Sequence, residues 1–288
     1  MMKIEWKHTA IILVTALLAA FFTFGSKSVE DTIIFFPIDP DLRFTTADTN
    51  LRAKQKGTSH YQVNWKVEST LAQPVYLRQD ISLLFRNGRL LGLIKDWKQD
   101  QANLLHTKSF SEKESGLFES VSFHYGEVHP KENTYTSVQK MSKDHLYAIL
   151  SLQKDFQTFH DPINNEQKKW QHTLDKYTRS IVDTAYTDAL KQFGILENHY
   201  TALPLTDLPN RTDELLKSFP SAQREEIIGK LWEGLYKNYL LGIQKEDGSI
   251  LNPIGSTIPI VLVAKNHTEL LILLQTSDGT PIVLRQSI

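Results

Sequence analysis

The sequence predicts an α+β fold: an N-terminal transmembrane or signal helix, then a largely antiparallel β-rich region, two long helices and a C-terminal β-meander. Three patterns carry that prediction. Apolar and polar residues alternate with period two in several runs between residues 60 and 152. Apolar residues then recur every three or four positions from Trp170 to Leu240, and short apolar runs separated by turn residues return after Ile258. The chain divides accordingly into residues 1–25, 26–154 and 155–288, of which the last two can pack as one domain.

The first region is organised by the uncharged run from Thr9 to Phe24, with Lys3 and Lys7 before it and Lys27, Glu30 and Asp31 after it. Its sixteen residues span about 24 Å as a helix, short of a hydrocarbon core of about 30 Å unless Trp6 and Gly25 extend it. A short anchor and a signal-peptide core both fit that length. Thr23-Phe24-Gly25 is the best cleavage site and a poor one, which favours a retained anchor. The lysines on the N-terminal flank place the N-terminus inside and the rest of the chain outside the cytoplasm, or secreted if the segment is cleaved. A chain without cysteine has no lipid-modified leader and no disulfide scaffold, which fits a bacterial extracytoplasmic protein. The net charge of −1 lacks the basic footprint of a nucleic-acid binder.

In the second region, Thr32–Ile38 reads as a first strand or extended piece, restricted to an edge or an end by Pro37, and the polar stretch from Asp39 to Ser59 reads as a long connection. Tyr61, Val63, Trp65 and Val67 alternate with polar neighbours, the mark of a strand with one buried face. Ile81–Arg86 and Arg89–Ile94 flank Asn87-Gly88, a pair suited to the two positive φ angles of a type I′ hairpin turn. Leu104, Leu105 and Phe110 mark another strand. Leu117–His129 marks the next, bulged at Gly126, before the pieces Thr136–Lys140 and His145–Leu152.

In the third region, Trp170, Leu174, Tyr177, Ile181, Ala185, Ala189 and Phe193 form one apolar stripe, so a helix from Asn165 to Gln192 is expected, stopped by Gly194. A short helix over Arg211–Ser218 follows. The second long helix starts at Phe219-Pro220, with Ser218 or Ser221 as its cap, and ends at Gly242. Ile258–Ala264, Thr268–Gln275 and Pro281–Leu284 make the meander.

The densest group of metal-ligating side chains is His124, Glu127 and His129, whose imidazole and carboxylate donors suit zinc. On an unbroken strand His124 points away from the other two, so coordination by all three requires the bulge at Gly126. Trp65, Trp97 and Tyr125 are candidates for a ligand groove on the sheet, and equally the residues from which a β core is built. Acid–base candidates are His160-Asp161, Asp183, Asp188 and the Asp39-Pro-Asp41 pair. Ser137 and Lys140 have the Ser-x-x-Lys spacing without its supporting motifs. No nucleophile elbow, phosphate loop or cofactor fingerprint is present in the sequence.

The function expected on this basis is non-enzymatic: a membrane-anchored extracytoplasmic protein that binds an envelope, peptide or protein partner. A deep pocket with converging carboxylates or histidines would count against it. The alternatives are a metal-dependent extracytoplasmic hydrolase of cell-envelope material and an accessory subunit of a membrane complex.

Overall fold

Strand β2, Tyr61–Arg86, is the axis of the structure and is far longer than its sequence pattern suggested. Its first half is buried on one face, whereas residues 78–85 are buried on both. Between Thr70 and Val75, around Pro74, the ladder is interrupted and the strand changes neighbours. Pro74 has no N–H to donate, so a break there removes no ladder bond that could otherwise form. On one edge β2 passes from β1 (Phe44–Gln55), paired up to Leu71, to β5 (Gly116–Lys131), paired from Leu77; on the other it stays with β4 (Trp97–Glu112) as far as Gln79 and then pairs with β3 (Arg89–Ile94). Strands β6 (Thr134–Ile149) and β7 (Gln157–Phe159) continue the sheet beyond β5.

The change of neighbours lets the sheet curl onto itself. Tyr61, Val63, Trp65 and Val67 from the first half of β2 pack in one cluster with Leu84 from the second half, Phe118 of β5 and Leu146 and Ala148 of β6. Full burial of each large apolar side chain contributes about 1.5–3 kcal/mol, which makes this cluster the main reason for the curl. Strand β1 corrects the long connection expected over residues 39–59. It is polar enough to read as a loop because its outer face is in water, and only Leu51 and Thr49 mark the buried side.

The computed structural model describes residues 35–151, 155–244 and 248–288. The run from Thr9 to Phe24 lies outside them; among the described residues no helix is long and apolar enough to cross a membrane. From residue 34 onward the chain forms one compact unit, so the β-rich and helical regions share a body.

Helix α1, Asn165–Phe193, starts at an Asn164 side chain that accepts the Gln167 N–H and stops at Gly194 with φ of 63°. Its buried stripe includes Leu174, Thr178, Val182, Ala185 and Ala189. The Asn87-Gly88 turn has positive φ at both residues and sits against this helix, where a Cβ on Gly88 would meet Val182 and Thr178. After β8 (Tyr200–Pro204), helix α2 spans Leu208–Leu215, displaced from the expected Arg211–Ser218. Helix α3 spans Ser221–Leu235 and continues as a π turn to Leu240. Neither expected serine caps α3: Pro220 holds that position and no side chain makes the capping bond. A short pair, β9 (Ile243–Gln244) and β10 (Ile250–Leu251), leads to β11 (Ile260–Ala264), β12 (Glu269–Gln275) and β13 (Pro281–Ser287). These last three form the expected antiparallel meander, and β8 completes it as a sheet of order β13-β12-β11-β8.

Candidate functional site

Cross-strand neighbours on the main sheet share a face, so its ladders sort the polar residues into two sites. One face carries Asp80 beside His124 and Ser82 beside Ser122, which lies beside Ser142. The opposite face carries Glu119 beside His145 and Val121 beside Lys143.

The first set lies inside the curl. The imidazole of His124 has Nε2 2.8 Å from Ser142 Oγ and Nδ1 3.1 Å from Asp80 Oδ1, and neither Asp80 nor His124 has accessible side-chain surface. The second contact is a close approach rather than a hydrogen bond, since the ring N–H is not directed at the carboxylate. Ser142 also bonds Thr49 at 2.6 Å, and Ser69 donates to both Asp80 oxygens. Arg78, fully buried, donates to Ser69 Oγ and to the Tyr125 carbonyl. The order serine, histidine, aspartate matches that of a hydrolytic triad, but a wholly enclosed imidazole cannot exchange protons with a bound substrate. Its observable role is closure: Thr49, and the Leu51 N–H that bonds Asp144 at 2.7 Å, fasten β1 to β6 by side chains where no ladder joins them.

The second set lines a cavity of about 430 Å³. One wall is the outer face of β5 and β6, with Glu119, Lys143 and Tyr147. The second is a stripe of α1, with Asp175, Arg179, Asp183 and Tyr186, and the third is formed by Ala202–Pro204, Thr206, Asp207, Ile258 and Ile260. Carboxylates outnumber cations here. Lys143 Nζ lies 3.0 Å from Asp207 Oδ1, Tyr147 donates to Asp175 at 2.7 Å and Thr206 donates to Glu119 at 3.3 Å. Burial pushes the Glu119 carboxyl up to about 7, Asp207 pushes the same way, and the Thr206 bond and Lys143 oppose them. Burial and the bond to Asp175 likewise raise the Tyr147 hydroxyl. The wall therefore holds one carboxyl able to carry a proton near neutrality beside the carboxyl groups of Asp175, Asp183 and Asp207, a combination suited to hydrogen bonding a polar ligand or to proton transfer.

The residues singled out from sequence lie mostly elsewhere. Glu127 Oε1 and His129 Nε2 are 2.5 Å apart on the face opposite His124, and His129 stacks on Tyr76 at 3.9 Å. The ladder runs through Gly126 without a bulge, Gly126 pairing with Arg78 on one side and Val138 on the other; glycine fits there because Val138, Arg78 and Leu71 crowd the position where a Cβ would stand. His124, Glu127 and His129 are thus not brought together, and among the described residues no group of three potential ligands is placed to hold a metal. Trp65 is fully buried inside the curl, while Tyr125, 1% exposed, stacks with Phe123 on the other face. Trp97 is half-exposed at the start of β4, so these three form no groove. Asp39 accepts from the backbone of Asp41 and Leu42, and buried Ser137 donates to the Phe36 carbonyl. Of the acid–base candidates, Asp183 lines the cavity; Glu119, Asp175 and Asp207 carried no sequence signal linking β5 to α1 and the turn after β8.

No protein-family model and no curated protein matches this sequence. One solved structure, "putative beta-galactosidase from bacteroides fragilis", is similar to 40% of this chain over 18% of its own length, at 11% identity and a TM-score of 0.24. A likeness at that score supports no statement about fold or activity.

Proposed function

We propose that this is a membrane-anchored extracytoplasmic protein that works by binding, and that the cavity between α1 and the outer face of β5 and β6 is its ligand site. The anchor is the run from Thr9 to Phe24, and the ligand is an envelope component or peptide end rich in hydrogen-bond donors. The cavity itself carries the reading: about 430 Å³ lies within the usual range for small-ligand sites, and its lining mixes apolar residues with Glu119, Asp175 and Asp207, each held in place by a protein partner. Ala202 lies exposed on that wall, so Ala202→Trp fills the space without disturbing the core. Thermal shifts of the full chain against a panel of cell-wall peptides and glycans check this. At least one ligand raises the midpoint of the wild type and not of Ala202→Trp; a panel that moves both proteins equally removes the cavity from the proposal.

A second reading has its own support, because carboxylates do converge on this cavity. The Glu119 carboxyl, pushed up to about 7 by burial, has the protonation a general acid needs, which supports a hydrolase of envelope material. Product release from those same polymers, abolished in Glu119→Gln, would establish it over binding alone. An accessory-subunit role would instead require that anchor substitutions abolish a function while ligand binding persists.

A further inference from the structure

Strand β4 has a strand partner on one side only among the described residues, and it is a long open edge of sixteen residues. The other edges are managed. Strand β1 is fastened to β6 through Asp144, β3 and β7 are short, and β13 begins at Pro281 and lies against α1 and α3. The outward face of β4 from Asn103 to Ser111 presents Asn103, Leu105, Thr107, Ser109 and Ser111, all exposed and none charged. Leu105 alone is 58% exposed. Lys108, the residue that would ordinarily guard such an edge, is on the other face and turns its ammonium onto the Leu93 carbonyl.

We propose that β4 pairs with β4 of a second copy of this chain, antiparallel about a two-fold axis at Thr107, joining the two curled sheets into one. Faces match across such an axis only in every second register. The neighbouring two registers set buried Leu104 against Lys108 or Lys108 against Lys108, whereas the axis at Thr107 sets Leu104 opposite Phe110, Leu105 opposite Ser109 and Asn103 opposite Ser111. Leu104 is buried and Phe110 packs against the inner cluster, so that register continues an apolar seam across the junction. His106 falls opposite Lys108 without repulsion at neutral pH, since burial lowers the imidazole's proton affinity.

The absence of native cysteine makes the register directly measurable. In the full chain, held in membranes or detergent, Thr107→Cys brings two thiols directly opposite, and Asn103→Cys does not. Disulfides need Cα atoms within about 7 Å, so oxidation should cross-link Thr107→Cys at least about tenfold faster than Asn103→Cys. Mixing the separate Asn103→Cys and Ser111→Cys chains should restore the link. Light scattering should give twice the chain mass for the wild type and the single mass for Leu105→Lys, with unchanged circular dichroism. Equal cross-linking at Thr107 and Asn103, a monomeric wild type, or a dimer indifferent to Leu105→Lys would each overturn the pairing.

Discussion

Glu119 ties the chemistry of the cavity to the stability of the fold. In the folded chain its carboxyl is raised from 4.5 to about 7, so the neutral form is the one that folding favours. The stabilisation this represents is fully present below the unfolded value, declines as pH rises, and is lost above about 7. The gap corresponds to roughly 3 kcal/mol as an upper figure. Glu119→Gln, which cannot ionise, should therefore be more stable than the wild type above about pH 7 and flatten the loss between about pH 5 and 7. Urea midpoints at several pH values check this, and an unchanged slope would mean that the carboxyl is solvated after all. The Asp80–His124–Ser142 set makes the opposite point, since catalytic order without access is a structural device.

At the level of elements, the first described residues are held to α3 by one close approach. The Phe35 ring lies over Gly229, where a Cβ would stand 1.8 Å from its Cδ2, and the Phe35 N–H donates to Glu233 at 3.0 Å. Pro37 and Asp39 then pair with Ser137 at the start of β6. Gly229→Ala gains about 1 kcal/mol of helix propensity but must expel the ring. The expected outcome is a near-neutral melting temperature with faster hydrogen exchange at Phe35. Combining it with Phe35→Ala should recover the helix gain as added stability. Protection of Phe35 that survives Gly229→Ala would show that the helix shifts instead.

For the whole molecule, the compact unit starts at residue 34, well after the apolar run. Removing residues 1–25 should leave the melting temperature within about 1 °C while moving the protein from the detergent to the aqueous phase; a large drop would place that segment in the fold, since a ΔΔG near 1 kcal/mol shifts a domain of this size by about 2–4 °C. The fold was legible where one short stretch contained the whole signal. Tyr61 to Val67 declared a buried face, Asn87-Gly88 a hairpin and Gly194 a helix end, and each stands where its pattern placed it. Strand β1 was illegible because a strand solvated on one face, with hydroxyls on the other, has no apolar alternation to read.

By itself the sequence determined the broad order of a β-rich half, two long helices and a closing meander, because periodicity and turn chemistry act within a few residues. It also determined the absence of disulfides and the uncharged run at its start. Only the tertiary structure decided that β2 turns the sheet onto itself, that His124 faces inward away from Glu127 and His129, and that Glu119 shares a cavity with Asp175 and Asp207. Those outcomes depend on contacts between residues tens of positions apart. Their energies come from burial and desolvation, quantities that exist only once the chain has closed around them.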